Sequence, residues 1–159
     1  MWCKLIGMTN DHTEQARAFL QANSLGVLAT VAPGGGVRAR TVYYAANEKF
    51  EVYVVTLQGT RKVEDIASDG RVAFVVSDPN APSTIQLEGT MVEQPNTPID
   101  DPMVQKLMDT LMEKGETFAP LTHLDVNKII FYKLTPTWVR FGDFAHTSGS
   151  SEVLSVIIP

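Results

Sequence analysis

Thr56-Leu57-Gln58-Gly59-Thr60-Arg61-Lys62 is the stretch that decides how this chain is read. An apolar, β-branched run from Phe50 to Val55 precedes it, and Val63, Ile66 and Ala67 follow at helical spacing, so the segment joins a strand to a short helix. Gly59 supplies the turn, and Thr60 is placed to cap the helix by accepting a backbone N–H with its hydroxyl oxygen. The charges stand in an unusual place. Arg61 and Lys62 occupy the first helical turn, where the macrodipole is positive and a cation costs roughly 0.3–1 kcal/mol. Free N–H groups, a hydroxyl and two cations together suit a phosphate-sized anion. Each charge-assisted bond to such an anion contributes about 1.5–3 kcal/mol, more than the dipole penalty. The competing account makes both residues solvated surface cations, with Asp65 as a helical neighbour of Arg61.

Upstream, Val37 to Ala46 reads as a strand. Its period of two places Arg38, Arg40, Val42 and Tyr44 on one face and Val37, Ala39, Thr41 and Tyr43 on the other. Two arginines on one face of an otherwise apolar strand need water or an anion there. Leu25 to Ala32 forms the preceding strand. Pro33-Gly34-Gly35-Gly36 leads from it into another strand, not into a helix, which makes the glycines a hairpin turn and excludes a dinucleotide loop. Asp11 and Glu14 have the spacing of a capping box and predict a first helix from Thr13 to Ala22.

Downstream, Asp69-Gly70 ends the short helix, and Arg71 to Ser77 forms a strand, with Asp78 to Pro82 as a loop. Ser83 to Glu93 is strand-like, with Ile85, Leu87 and Gly89 on one parity and Gln86 and Glu88 on the other. Asp101 as N-cap and Pro102 in the first position open a helix running to Lys114 and closed by Gly115. Its stripe is Val104, Leu107, Met108 and Leu111, with Met112 at the margin. Glu116 to Asn127 looks irregular. Lys128 to Phe141 is a long strand in which Pro136 marks a bulge or an edge and Trp138 and Arg140 share a parity, and Val153 to Ile158 adds a strand or a packed tail. The chain carries no internal repeat and reads as one domain over residues 1–159, mainly β with flanking helices. Five to seven strands with short turns predict an antiparallel barrel with helices on its outside.

Composition narrows the function. With 44% hydrophobic and 19% charged residues the chain is globular rather than disordered. A net charge of -5 argues against nucleic acid as a partner, and the cations at 38, 40, 61 and 62 suit a small phosphorylated ligand better than a duplex. Cys3 is the only cysteine, which excludes an intrachain disulfide and a cysteine-rich zinc site. His12, His123 and His146 lie far apart without carboxylates at ligand spacing, so no metal site is expected. Met1 to Met8 lacks the apolar core of a signal peptide and no run reaches spanning length, which sets the expectation of a cytoplasmic protein without a membrane partner.

Arg40-Thr41-Val42, Val55-Thr56, Thr60-Arg61-Lys62 with Val63 to Ile66, and Gly70-Arg71-Val72 together resemble the pyridoxamine 5'-phosphate oxidase-like family, and within it the small general-stress-type members. The resemblance runs from about Leu25 to Phe141. It implies a flavin-binding antiparallel split β-barrel of Greek-key type, with FMN as cofactor. Its phosphate would be held by Arg40, Arg61 and Lys62 with help from Thr60. Arg40, Thr41, Val42, Tyr43, Val55 and Thr56 would line the isoalloxazine and ribityl chain, partly through backbone groups. It further implies a homodimer with the flavin at the interface, which Trp138 and Arg140 would reach from the second subunit. The family's flavin-contacting glutamine, five residues before the glycine of the fifth strand, falls at Thr84, with Gln86 on the same parity. The arginine-x-histidine signature of true pyridoxamine-phosphate oxidases is absent from Trp138 to Asp143, which points away from that salvage activity. The implied function is an FMN-dependent oxidoreductase passing electrons or hydride to a small-molecule redox substrate: a quinone-like compound, an aldehyde or oxygen. The alternatives on the same fold are a non-catalytic flavin-binding or redox-sensing module, a deazaflavin-dependent reductase, and a haem binder using His123 or His146.

Overall fold

The structure, a computed structural model, describes residues 2–98, 100–118, 128–144 and 154–158. Its elements follow in the order α1 (Trp2–Ala22), β1 (Leu25–Val31), β2 (Val37–Ala46), β3 (Val52–Leu57), α2 (Arg61–Ser68), β4 (Arg71–Asp78), β5 (Ala81–Glu93), α3 (Pro102–Phe118), β6 (Ile129–Asp143) and β7 (Leu154–Ile158). The strands lie in the order β3-β2-β1-β4-β5-β6-β7, all pairings antiparallel, and β3 also pairs with β6. Six strands therefore close a ring. β6 is divided between two partners on one edge: Ile129 to Leu134 lies against β3, and Val139 to Gly142 lies against β7. This is the antiparallel barrel that the strand pattern predicted, and the split form that the resemblance implied.

Strict alternation fills the ring. Leu28, Tyr44, Val54, Phe74, Leu87 and Leu134 all point into one core and are essentially inaccessible to water. Each such side chain contributes roughly 1.5–3 kcal/mol by burial. Gly26 makes room for this core, because a Cβ there would stand 2.4 Å from the Phe74 ring. Helix α1 sends Ala16 and Leu20 into the same cluster, and the Tyr44 hydroxyl donates to the Leu20 carbonyl at 2.7 Å. Ile66 of α2 joins them. α3 packs on the outer side of β2 and β3, where Leu107 and Leu111 form a second cluster with Tyr43, Ala45 and Val55.

The bulge expected at Pro136 is present. Glu88 opposes Trp138 while Gly89 opposes Pro136, which leaves Thr137 over, and a Cβ on Gly89 would stand 2.2 Å from the Thr135 carbonyl oxygen. Asp101 caps α3 as expected, its Oδ1 accepting the N–H of Met103 at 2.8 Å.

Several boundaries differ. α1 starts at Trp2, so Asp11 is inside a helix and not at its cap; its carboxylate accepts from Gln15 Nε2 at 3.2 Å. No proline interrupts residues 2 to 10, and the helix runs through them. Gly115 does not end α3, which continues to Phe118, since a glycine inside a helical run costs only about 1 kcal/mol. β3 begins at Val52 and extends through Thr56 and Leu57. Asn47 Oδ1 accepts the N–H groups of Lys49 and Glu51 at 2.9 and 3.1 Å, which carries the turn as far as Phe50 at φ 61. In α2, Ala67 is exposed and Asp65 takes the buried position beside Ile66. Residues 119–127 and 145–150, with His123 and His146, lie outside the described residues.

Candidate functional site: a cationic cradle at the start of α2

The inward parity of β1 and β2 changes character at one end of the barrel. Thr30 stands opposite Arg38, and Arg40 follows two residues on, so a hydroxyl and two guanidiniums take the positions that Leu28, Val42 and Tyr44 occupy further along. They meet Asp65, whose side chain has no exposed surface. Asp65 Oδ1 accepts from Arg38 Nη1 at 2.8 Å, while Oδ2 accepts from Arg40 Nη2 at 3.0 Å and from the Thr30 hydroxyl at 2.8 Å. Burial pushes the Asp65 carboxyl up, but the bonds from Thr30 and Arg40 and the charges of Arg38 and Arg40 hold it below the usual carboxylate value. The account of Asp65 as a surface neighbour of Arg61 is thus corrected. The anion required by two arginines on one strand face is, in part, an internal carboxylate.

Arg40 is not fully answered by that carboxylate. Its Nη1 is buried and has no hydrogen-bond partner. A buried donor in that state costs about 1–3 kcal/mol, and more when charged. Lys62 stands near it, half-buried; burial first and the Arg40 charge second push its ammonium pKa down. Among the described residues no carboxylate forms an ion pair with Lys62. Arg61, the first residue of α2, is exposed.

Thr60 occupies the N-cap position in an extended conformation, but its hydroxyl makes no cap bond, contrary to expectation; it lies 3.3 Å from the Thr56 hydroxyl. Thr56 is buried at the end of β3, and the hydroxyl pair braces the turn, which leaves the helix start without a side-chain cap. Gly59 takes φ 79 in that turn, a conformation that suits glycine.

The other expected residues are distributed as follows. Thr41 is exposed on the outward parity of β2. Val42 packs in the barrel core, and Tyr43 and Val55 pack beneath α3, so these three side chains are engaged in packing and only their backbone groups remain for a ligand. Trp138 and Arg140 belong to a second cluster on the outer face of β6. There the Arg140 guanidinium lies 5.7 Å from the Trp138 ring centroid and donates through Nη2 to Gln86 Oε1 at 2.9 Å. Thr84 bonds instead to the Val76 carbonyl at 3.2 Å. Two members of the cradle, Thr30 and Asp65, were missed from sequence. The signal for Thr30 was a lone polar residue on the buried parity of Leu25 to Val31. Among the described residues no group of histidine, cysteine and carboxylate side chains could hold a metal ion, and no helix is long and apolar enough to cross a membrane.

Two partly buried cations, Arg40 and Lys62, stand near an uncapped helix start whose first residue is the exposed Arg61, an arrangement whose chemistry suits an anion. Fold and site together define a split-barrel protein with a cationic cluster at its strand-to-helix turn. The family model described as pyridoxamine 5'-phosphate oxidase matches residues 12–142, and the chain belongs to that family. No curated protein matches it. Among solved structures it is similar to General Stress Protein 26 from Bacillus anthracis, at 15% identity over 82% of this chain and 93% of that one, with a TM-score of 0.59. A FAD-binding protein from Mesorhizobium loti matches at 19% identity over 77% and 85%, with a TM-score of 0.61. A heme binding protein from Mycobacterium smegmatis matches at 17% identity over 91% of this chain and 56% of that one, with a TM-score of 0.62. These likenesses establish the shared fold.

Proposed function

We propose that the chain is a flavoprotein that holds FMN by its phosphate at the start of α2 and acts as an oxidoreductase on a small redox substrate. The observation that carries this reading is the buried, unpartnered Nη1 of Arg40 beside Lys62. A phosphate dianion would answer both at once, with Arg61 and the uncapped N–H groups of α2 closing around it. Family membership and the FAD-binding neighbour support a flavin as the group that carries the phosphate. When bound, FMN supplies the electron or hydride transfer. The protein's own residues bind and orient: Arg40, Lys62 and Arg61 fix the phosphate, and backbone groups of residues 40–43 and 55–56 flank the remainder.

A second copy of this chain completes the reading. Thr41, Val27, Val75, Gln86, Arg140 and Val156 stand in register across β2, β1, β4, β5, β6 and β7 on the outward face. Val27 and Val156 are 42% and 54% exposed, an apolar cost that a homodimer would remove. The proposed setting is the cytoplasm.

Titration of the purified protein with FMN, followed by flavin fluorescence, tests the site. Saturable binding at one per chain is expected, with a loss of about a hundredfold or more in Arg61→Ala/Lys62→Ala, the factor that two charge-assisted bonds carry. Full retention in the double variant overturns the phosphate site. Rapid reduction by NADH or NADPH and reoxidation by a quinone-like acceptor distinguishes an enzyme from a flavin-holding module, and light scattering of the loaded protein reads the dimer.

A further inference from the structure

We propose that Asp65 is a positioning residue for the anion: by dividing one carboxylate between two arginines, it keeps the second nitrogen of Arg40 available to the ligand. The inference rests on the phosphate reading above.

The geometry is specific. An isolated arginine and carboxylate prefer two parallel bonds, fork to fork. Arg40 has only one, from Nη2 to Oδ2, because Oδ1 is taken by Arg38 Nη1 and Oδ2 also accepts from Thr30. Nη1 of Arg40 is consequently left buried and unsatisfied. Arg38 is the member that can be spared for this task, since its side chain is 42% exposed and retains water, whereas that of Arg40 is 22% exposed. Asp65 thus spends negative charge next to an anion site, a cost that is offset when the shared pairing aims Arg40.

Two opposite outcomes separate this role from simple electrostatics. If Asp65 acted on the ligand only through its charge, neutralising it would remove a repulsion and tighten the anion. If it positions Arg40, neutralising it loosens the anion. In Asp65→Asn the amide oxygen can accept from one arginine, while the amide NH2 faces the other donor to donor. The division of one acceptor pair between Arg38 and Arg40 is then broken without a change of shape.

The test is paired titration of wild type, Asp65→Asn and Arg38→Met with FMN and with riboflavin, which lacks the phosphate, at one salt concentration. The expected result for Asp65→Asn is FMN binding weakened by about tenfold to a hundredfold, the factor of one charge-assisted bond, with riboflavin affinity within about twofold of wild type. Unchanged or tighter FMN binding overturns the inference, as does equal weakening of both ligands, which is the mark of a structural role alone. Arg38→Met, at a half-exposed position, serves if Asp65→Asn does not fold. Freed of Arg38, Asp65 Oδ1 lets Arg40 close onto both oxygens, so FMN weakens and riboflavin does not; an unchanged ratio overturns the inference. In Asp65→Asn/Arg38→Met together the losses are expected to be sub-additive, since both act through Arg40, and additive losses would place Arg38 on the phosphate itself and overturn the sharing. A wild-type protein that binds FMN no better than riboflavin removes the phosphate reading and this inference with it, whereas failure of the variants alone leaves the phosphate reading standing.

Discussion

Helices α2 and α3 begin in opposite ways. At α3, Asp101 accepts the N–H groups of Met103 and Val104, Pro102 fills the first position, and Val104, Leu107 and Leu111 are buried against the barrel wall. The capping carboxylate at that end serves the fold. At α2 the N-cap hydroxyl turns away to Thr56, the first two residues are cations, and the side chain buried beside Ile66 is an acid. Helix starts with ordinary caps are stabilised locally. The start of α2 is held instead by a long-range ionic cluster that reaches β1 and β2, and no side chain caps its N–H groups. The contrast teaches where to look for function: at a helix start that the fold leaves without a side-chain cap.

Six outcomes would break or sharpen that contrast. The largest effect is expected from Asp65→Ala, which strands Arg38 and Arg40 and should cost about 3–5 kcal/mol in urea unfolding. A loss below that of an ordinary surface substitution would remove the ionic cluster as the anchor of α2. The same residue predicts a pH dependence. Its folded value lies below the ordinary 3.8, so its contribution is present above that value and is lost as the pH falls through the depressed folded one. This acid-side slope should disappear in Asp65→Asn. Leu107→Ala comes next, at about 3 kcal/mol for a fully buried leucine, with FMN affinity of the folded protein unchanged, because α3 is read as scaffold. Asp101→Ala should cost about 1 kcal/mol, the usual value of a cap. Thr60→Ala should cost less than about 0.5 kcal/mol even though Thr60 sits at an N-cap, because its hydroxyl does not cap; a full cap's worth of destabilisation would erase the difference between the helices. The smallest signal is a proton. The charged form of Lys62 is disfavoured below its lowered folded pKa, and the penalty fades as the pH rises toward 10.5. FMN should raise that pKa again, giving uptake of a fraction of a proton on the alkaline side, below 10.5, by calorimetry in buffers of different ionisation heat. No uptake would separate Lys62 from the phosphate.

Sequence reading went furthest where a single period governs. Val37 to Ala46 has the strand bounds expected of it, because alternation there is enforced by a core on one side and α3 on the other. The charges of Arg61 and Lys62 drew attention to the start of α2 for a reason that is purely local, the helix dipole. Asp65 was misread because its partners, Thr30, Arg38 and Arg40, are 25 to 35 positions away, and nothing local distinguishes a buried acid from an exposed one at four residues' spacing from an arginine. Thr60 was misread as a cap because capping chemistry and hydroxyl pairing with Thr56 start from the same residue type. Helix ends at Trp2 and Phe118 went past the expected signals because a capping box and a glycine are statements of preference that a continuing helix can override.

The late arrival of β6 has a consequence for the protein during its synthesis. Glu51, at the start of the β3 hairpin arm, finds its ion-pair partner Lys133 82 positions later. At a synthesis rate of roughly 5–20 residues per second, the free edge of β3 waits on the order of 4–16 s on the ribosome before the strand that covers it exists. Without β6 the strands β3, β2, β1, β4 and β5 have two edges with no partner, and it is β6, from Ile129, that joins them into a ring. Closure is therefore a single late event, and a nascent chain that stalls before β6 presents the ribosome-bound template for aggregation that the finished barrel lacks.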